Sequence, residues 1–182
     1  MSTTIGKLFV WADEQSACVR VVGRANFLLS VDFRRLLRHL RSAGRARLLL
    51  DLSGCQIMDS TFLGVLAFEA NGIALQSGEN GPRIQLLNAQ PAVCEIIEDL
   101  GIARLFEFVQ RDLSRETFEP APSTGPTSAE ECARTSLEVH NLLMALHPAN
   151  EAKFKDVTRF LAEELKAATG SDAPPGSQPA QK

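Results

Sequence analysis

No C-x-x-C pair joins the four cysteines, Cys18, Cys55, Cys94 and Cys132, and their wide separation leaves neither a zinc nor a thioredoxin-like signature. They read as reduced thiols. The sequence has no apolar run of about 18 residues, and its start lacks a basic segment followed by an apolar one, so neither secretion nor direct membrane insertion is expected. A cytoplasmic location follows from that reading. Positive charge is also lacking: the formal net charge is -3, which gives no general attraction for phosphate backbones, so nucleic acid is not an expected partner. His39, His140 and His147 have no ligand spacing, and no Ser or Cys triad can be assigned. No glycine-rich phosphate cradle follows the first strand, and Gly78-Glu79-Asn80-Gly81 reads as a turn. No enzyme, metal or cofactor is expected.

What is present is an ordinary globular composition, 45% hydrophobic and 23% charged, in a chain of 182 residues with room for one domain and an addition. Apolar, β-branched runs at residues 7–12 and 18–22 flank the polar turn Asp13-Glu14-Gln15 and predict two strands. Over residues 30–42, Phe33, Leu36, Leu37 and Leu40 fall at spacings of three and four, the stripe of an amphipathic helix that Gly44 ends. The unbroken run Leu48-Leu49-Leu50 predicts a central strand covered by helices on both faces. Helical spacing returns at residues 60–76 and, behind Pro91, up to Gly101, with short strands at 84–87 and 106–109. The order β-β-α-β-α-β-α-β predicts an α/β fold, a mixed sheet with helices packed on it. Arg34, Arg35, Arg38 and Arg41 share helical spacing within a basic run that extends to Arg45 and Arg47, and the group reads as a solvated helix face.

Pro120, Pro122, Gly125 and Pro126 mark residues 116–127 as a linker that continues neither helix nor sheet, so the first domain is placed at 1–115. Ser128 to Glu131 matches a helix-capping box. The helix it opens breaks at His147-Pro148-Ala149-Asn150 and restarts with Asn150 as cap, making a C-terminal helical hairpin over 128–168. Its apolar residues, Leu137, Leu143, Met144 and Leu146 on one helix and Phe154, Val157, Phe160, Leu161 and Leu165 on the other, are too few to stand alone. The hairpin therefore docks on the sheet domain, self-associates as a homo-oligomer, or binds a partner. Residues 169–182, rich in Pro, Gly, Ser and Gln from Ser171 onward, read as a disordered tail.

One segment carries the functional reading: Asp51-Leu52-Ser53, then four residues, then Met58-Asp59-Ser60-Thr61-Phe62-Leu63-Gly64-Val65-Leu66. It leaves the central strand, crosses a loop and enters the next helix. A hydroxyl at Ser60 could cap that helix, and a phosphate there would face free N–H groups and the positive end of the helix dipole. Phosphorylation would place nearly two negative charges beside Asp59 and repel an acidic or apolar partner surface. The pattern D-L-S-x-x-x-x-M-D-S-T-x-L-G-V-L resembles the signature of anti-sigma-factor antagonists of the STAS family. The likeness extends in element order over residues 5–112, including the Gly23 loop and the Pro91 helix.

The resemblance implies a STAS fold and a partner switch. In that family the serine after the motif aspartate is phosphorylated by a GHKL-type serine kinase that is also the anti-sigma factor, and a PP2C-type phosphatase reverses it. The matching position is Ser60, with Thr61 the second hydroxyl. Gly23, Arg24, Asn26, Asp59, Ser60, Thr61, Phe62 and Leu63 would form the partner-binding face. Two departures stand out. Phe62 replaces a common glycine, either as an exposed anchor or as a buried gap-filler, and Arg24-Ala25-Asn26 replaces Glu-Leu-Asp. The alternatives are a constitutive STAS subunit of a lipid-transport ATPase, in which Ser60 is structural, and a scaffold in a signalling assembly.

Overall fold

The computed structural model describes residues 6–78 and 83–170. The turn expected around residues 78–81 falls mostly outside these residues, and the expected disordered tail does so from 171 onward. Strands β1 (Lys7–Ala12) and β2 (Ser16–Ala25) form an antiparallel hairpin. Asp13 closes its turn, with Oδ1 accepting from the backbone of Gln15 and Ser16. Helix α1 (Phe27–Ser42) then leads to β3 (Arg47–Asp51), β4 (Cys55–Met58), α2 (Ser60–Ser77), β5 (Ile84–Leu87), α3 (Pro91–Asp99) and β6 (Phe106–Val109). The two-residue strand β7 (Glu119–Pro120) and helices α4 (Ala129–Leu146) and α5 (Glu151–Gly170) complete the chain.

The sheet is mixed, as the element order indicated. Its strands run β6-β5-β3-β2-β1-β7, parallel from β6 to β2 and antiparallel at β1 and β7. β4 pairs in parallel with the end of β2 across a register shift at Gly23 and Arg24. Gly23 has φ of 83°, a conformation that costs glycine little and β-branched neighbours much.

Alternation along the strands divides the core. Ala17, Val19, Val21, Leu48 and Leu50 face α1 and α2 in the main cluster, while Cys18, Leu49 and Leu87 face the other side. The run Leu48-Leu49-Leu50 is thus buried on both faces. On the second face the cover is Trp11, Leu113, Val109 and Phe118, none of them helical. The expectation of helices on both faces fails because the chain after β6 folds back over the sheet.

Residues 116–127 do not avoid the sheet. Glu119 and Pro120 pair with Val10 and Phe9, and Ala121 N–H donates to Leu8 O at 2.9 Å. Proline is tolerated there because β7 is an edge strand. Beyond it the chain is strapped to α1: Thr124 Oγ1 donates to Asp32, and Arg35 donates to the carbonyls of Thr124, Gly125 and Pro126. The basic run is correspondingly not a solvated face. Arg34 is nearly buried and pairs with Glu138 at 2.6 Å, Arg35 reaches Glu131, and Arg38 and Arg41 converge on the buried carboxylate of Glu69.

Of the three routes open to the hairpin, docking on the sheet domain is the one seen. α2 is buried on every side from Thr61 to Ala67, so it needs cover beyond the sheet, and α4 supplies that cover, with Val139 and Leu143 over Gly64 and His140 at Ser60. Gly64 permits the approach: a Cβ there would stand 2.7 Å from Val139. Asn150 fastens the far end, its buried amide donating to Leu100 O and Leu143 O at 2.9 Å each. On α5 the apolar stripe is covered unevenly, with Leu161 and Leu165 partly buried. Phe154 is buried, whereas Val157 and Phe160 are exposed.

Candidate functional site

Two helix starts meet at one carboxylate. β4 delivers Asp59 beside the end of β2, where Asp59 N–H donates to Ala25 O at 2.9 Å. Asp59 Oδ1 accepts from Phe62 N at 2.8 Å and caps α2, while Oδ2 accepts from Phe27 N at 2.6 Å in the first turn of α1. Asn26 is the N-cap of α1 and accepts from Leu29 N. Asp59, not Ser60, is thus the cap of α2. Ser60 is the first helical residue, and its hydroxyl is free for other work.

That hydroxyl is engaged by the hairpin. Ser60 Oγ lies 2.9 Å from His140 Nε2. His140 Nδ1 faces Ser136 Oγ at 3.2 Å, and Ser136 Oγ lies 3.2 Å from Thr61 Oγ1. Burial holds His140 below its ordinary value; a backbone hydrogen bond to Ser136 and the Asp59 charge act the other way without cancelling it. With the ring proton on Nδ1, toward Ser136, Nε2 is the acceptor and Ser60 the donor. The imidazole is 4% exposed and packs against Phe154, ring centroids 4.6 Å apart.

The residues expected to form the partner face divide. Asn26, Asp59 and Ser60 are brought together, half-buried, with Arg24 exposed and Gly23 buried in the bulge behind them. Thr61 is nearly buried and points to Ser136. Phe62 and Leu63 have no exposed surface, so in this arrangement they are not partner contacts. Phe62 is the gap-filler, stacked on Phe33 with centroids 4.3 Å apart. Position N3 of α2 faces the sheet, and the larger ring fills space between α1 and α2.

Sequence reasoning missed other members. Phe27, Leu28 and Ile57 are each more than two-fifths exposed beside the Asp59–Ser60 step. A groove of about 650 Å³ opens next to them, lined by Phe27, Leu28, Cys132, Ala133, Ser136 and Leu161. Exposed apolar residues ahead of the Ser30 stripe were the available signal for Phe27 and Leu28. His140 and Ser136 carried none, being far from Ser60 in the chain. Among the described residues no cluster of three His, Cys, Asp or Glu side chains could hold a metal. Burial pushes the Cys18 thiol up to about 12 and raises those of Cys55, Cys94 and Cys132.

In this mixed sheet the central strand β3 leads through β4 to a serine at the start of α2, the segment that resembles the STAS signature. The chain belongs to the STAS domain family: residues 9–110, more than half of it, match the family described as "Mlab, STAS domain". The fold is similar to that of the anti-sigma factor antagonist SpoIIAA in its unphosphorylated form, at 14% identity and a TM-score of 0.50 over 59% of this chain and 90% of that one. The phosphorylated form of SpoIIAA, a Bacillus cell fate determinant, aligns at 12% identity and a TM-score of 0.48 over 59% of this chain and 94% of that one. Comparison with curated proteins by sequence found no match. No helix among the described residues is long and apolar enough to cross a membrane.

Proposed function

We propose that this chain is a phosphorylation-regulated protein-binding switch of the anti-sigma-factor-antagonist kind, acting by binding rather than catalysis in the cytoplasm. With Ser60 unmodified, it holds an anti-sigma factor or a related GHKL-type serine kinase. The kinase transfers the γ-phosphoryl group of a nucleoside triphosphate to Ser60 Oγ: the new P–O bond forms, the bond to the nucleoside diphosphate breaks, and the hydroxyl proton is released. A PP2C-type phosphatase returns Ser60 and inorganic phosphate by hydrolysis.

The observation that carries this reading is the placing of Ser60 itself. Asp59 takes over capping, so the partly buried serine stands at the first position of α2 with its hydroxyl uncommitted to the helix, and exposed Phe27, Leu28 and Ile57 lie on the segments that Asp59 joins to α2. Apolar surface on segments joined to one polar centre suits a protein partner, and two added charges at that centre would weaken contact.

The test is phosphopeptide mass spectrometry on the protein from its native cell, with a Ser60→Ala control and Thr61 resolved separately. Phosphate at Ser60 supports the switch; consistent absence across growth and stress conditions sinks it. The second reading is a constitutive STAS subunit, of a lipid-transport ATPase or a signalling scaffold. The Ser60–His140 hydrogen bond favours it, because it gives the hydroxyl a structural use. Full regulation in a Ser60→Ala protein would support that reading.

A further inference from the structure

The surface that a phosphoryl group on Ser60 would first meet is the chain's own α4. His140 Nε2 is 2.9 Å from Ser60 Oγ, and the ring behind it is held by Ser136 on one side and Phe154 on the other. We infer that the α4–α5 hairpin is the first reader of the state of Ser60: its hydroxyl latches α4 through His140, and phosphorylation lifts the first half of α4 from α2. This rests on the reading of Ser60 as the modified residue.

The chemistry of the latch is specific to the hydroxyl. With the ring proton on Nδ1, Ser60 donates and His140 accepts. A phosphoester oxygen has no proton to give, and nearly two negative charges would replace it against a neutral, buried imidazole and close to Asp59. Moving the ring proton to Nε2 would restore a donor, with Ser136 Oγ–H then donating to Nδ1, but it would not restore space. A tetrahedral phosphoryl group does not fit into a single hydrogen-bond gap, so either the serine turns away or the helix yields.

The two ends of the hairpin are held unequally. Near Ser60, the polar ties of α4 run through Thr61–Ser136, Arg34–Glu138 and Arg35–Glu131, the last two with partly solvated carboxylates. At the other end Asn150 is fully buried and bridges Leu100 O and Leu143 O. Movement pivots on the Asn150 end, and the segment around residues 129–140 opens. Cys132, Ala133 and Ser136 in that segment are also one wall of the groove beside Phe27 and Leu28. A change at Ser60 thereby reshapes apolar surface that a partner would use, even though α4 covers much of α2.

The experiment is amide hydrogen exchange on the full chain with phosphoserine installed at position 60 during translation, which needs neither the native kinase nor the partner. Exchange in peptides covering residues 129–140 rises about tenfold or more over the unmodified chain, while peptides covering β3 and residues 141–150 keep their rates. Ser60→Glu, with less charge and bulk, shifts the same peptides in the same direction by a smaller factor. Unchanged or slower exchange over 129–140 in the phosphoserine chain overturns the inference. A Ser60→Ala chain, which loses the hydrogen bond without gaining charge or bulk, opens the same peptides by a smaller factor than phosphoserine, and unchanged exchange in that chain overturns the hydroxyl latch. Absence of phosphate in the native cell would instead count against the proposed function and leave these exchange results standing.

Discussion

Phe27 donates its backbone N–H to Asp59 Oδ2 at 2.6 Å across 32 residues of sequence, while the other oxygen of the same carboxylate takes the N–H of Phe62. One side chain therefore serves the first turns of both α1 and α2. The consequence is positional: the loop after Gly23, carrying Arg24 and Asn26, is tied to the residue that precedes Ser60. An aspartate at this place does more than cap, because it fixes the distance between the two segments of the candidate face.

Replacing Asp59 tests that tie. Asp59→Ala removes both acceptors at once and is expected to cost about 2–3 kcal/mol, twice the usual cost of a lost cap. Asp59→Asn keeps one oxygen and turns an amide toward the other donor, so its cost falls between. Urea unfolding gives the order wild type, Asp59→Asn, Asp59→Ala in falling midpoint. An alanine variant as stable as wild type would mean that neither hydrogen bond contributes.

Much of this arrangement was legible in local pattern. Strand and helix order, the stripe of α1 and the start of α2 at Ser60 all follow from short-range periodicity and from the D-L-S to M-D-S-T segment. β4 was not legible, because Gln56 and Ile57 are both exposed and break any alternation over its four residues. α1 begins three residues before the stripe that starts at Ser30, since Phe27 and Leu28 are apolar yet face outward. The docking site of the hairpin had a signal that went unused. A helix with Phe62, Leu63, Val65, Leu66 and Ala67 in succession has no polar side to give to water, so it needs a second layer above it. The Ser60–His140 contact had none: a pair 80 residues apart leaves no periodicity, and only the packing of α4 creates it.

Gly64 is where that packing is tightest. Alanine there gains about 1 kcal/mol of helix propensity, but its methyl would stand 2.7 Å from Cβ and Cγ2 of Val139, and overpacking costs about 1–3 kcal/mol. The clash outweighs the propensity. Gly64→Ala is expected to lower the thermal midpoint, and Val139→Ala, which removes Cγ2 but keeps Cβ, to lower it by less in the Gly64→Ala chain than in the wild type, a favourable coupling in a double-mutant cycle. Additive losses would mean that α4 does not sit on α2 at this point.

The stability of the hairpin contact should also depend on pH, with His140 as the titrating group. Burial holds the folded pKa of His140 below its ordinary 6.5. Between the lowered folded value and 6.5 the unfolded chain therefore binds more protons than the folded one. Stability from this group is fully present above 6.5 and is lost as pH falls through the folded value, with a slope of at most about 1.4 kcal/mol per pH unit for one proton. Asp13 and Asp112, whose carboxyls are held below 3.8 by backbone hydrogen bonds, lie below the range from pH 7.5 to pH 5 over which this is measured. Urea midpoints measured from pH 7.5 down to pH 5 are expected to fall in the wild type and to fall less in His140→Gln, whose side chain still offers Ser60 an acceptor but takes no proton. Comparing slopes removes any constant cost of the substitution. Equal slopes in the two proteins would mean that His140 is not buried neutral against Ser60.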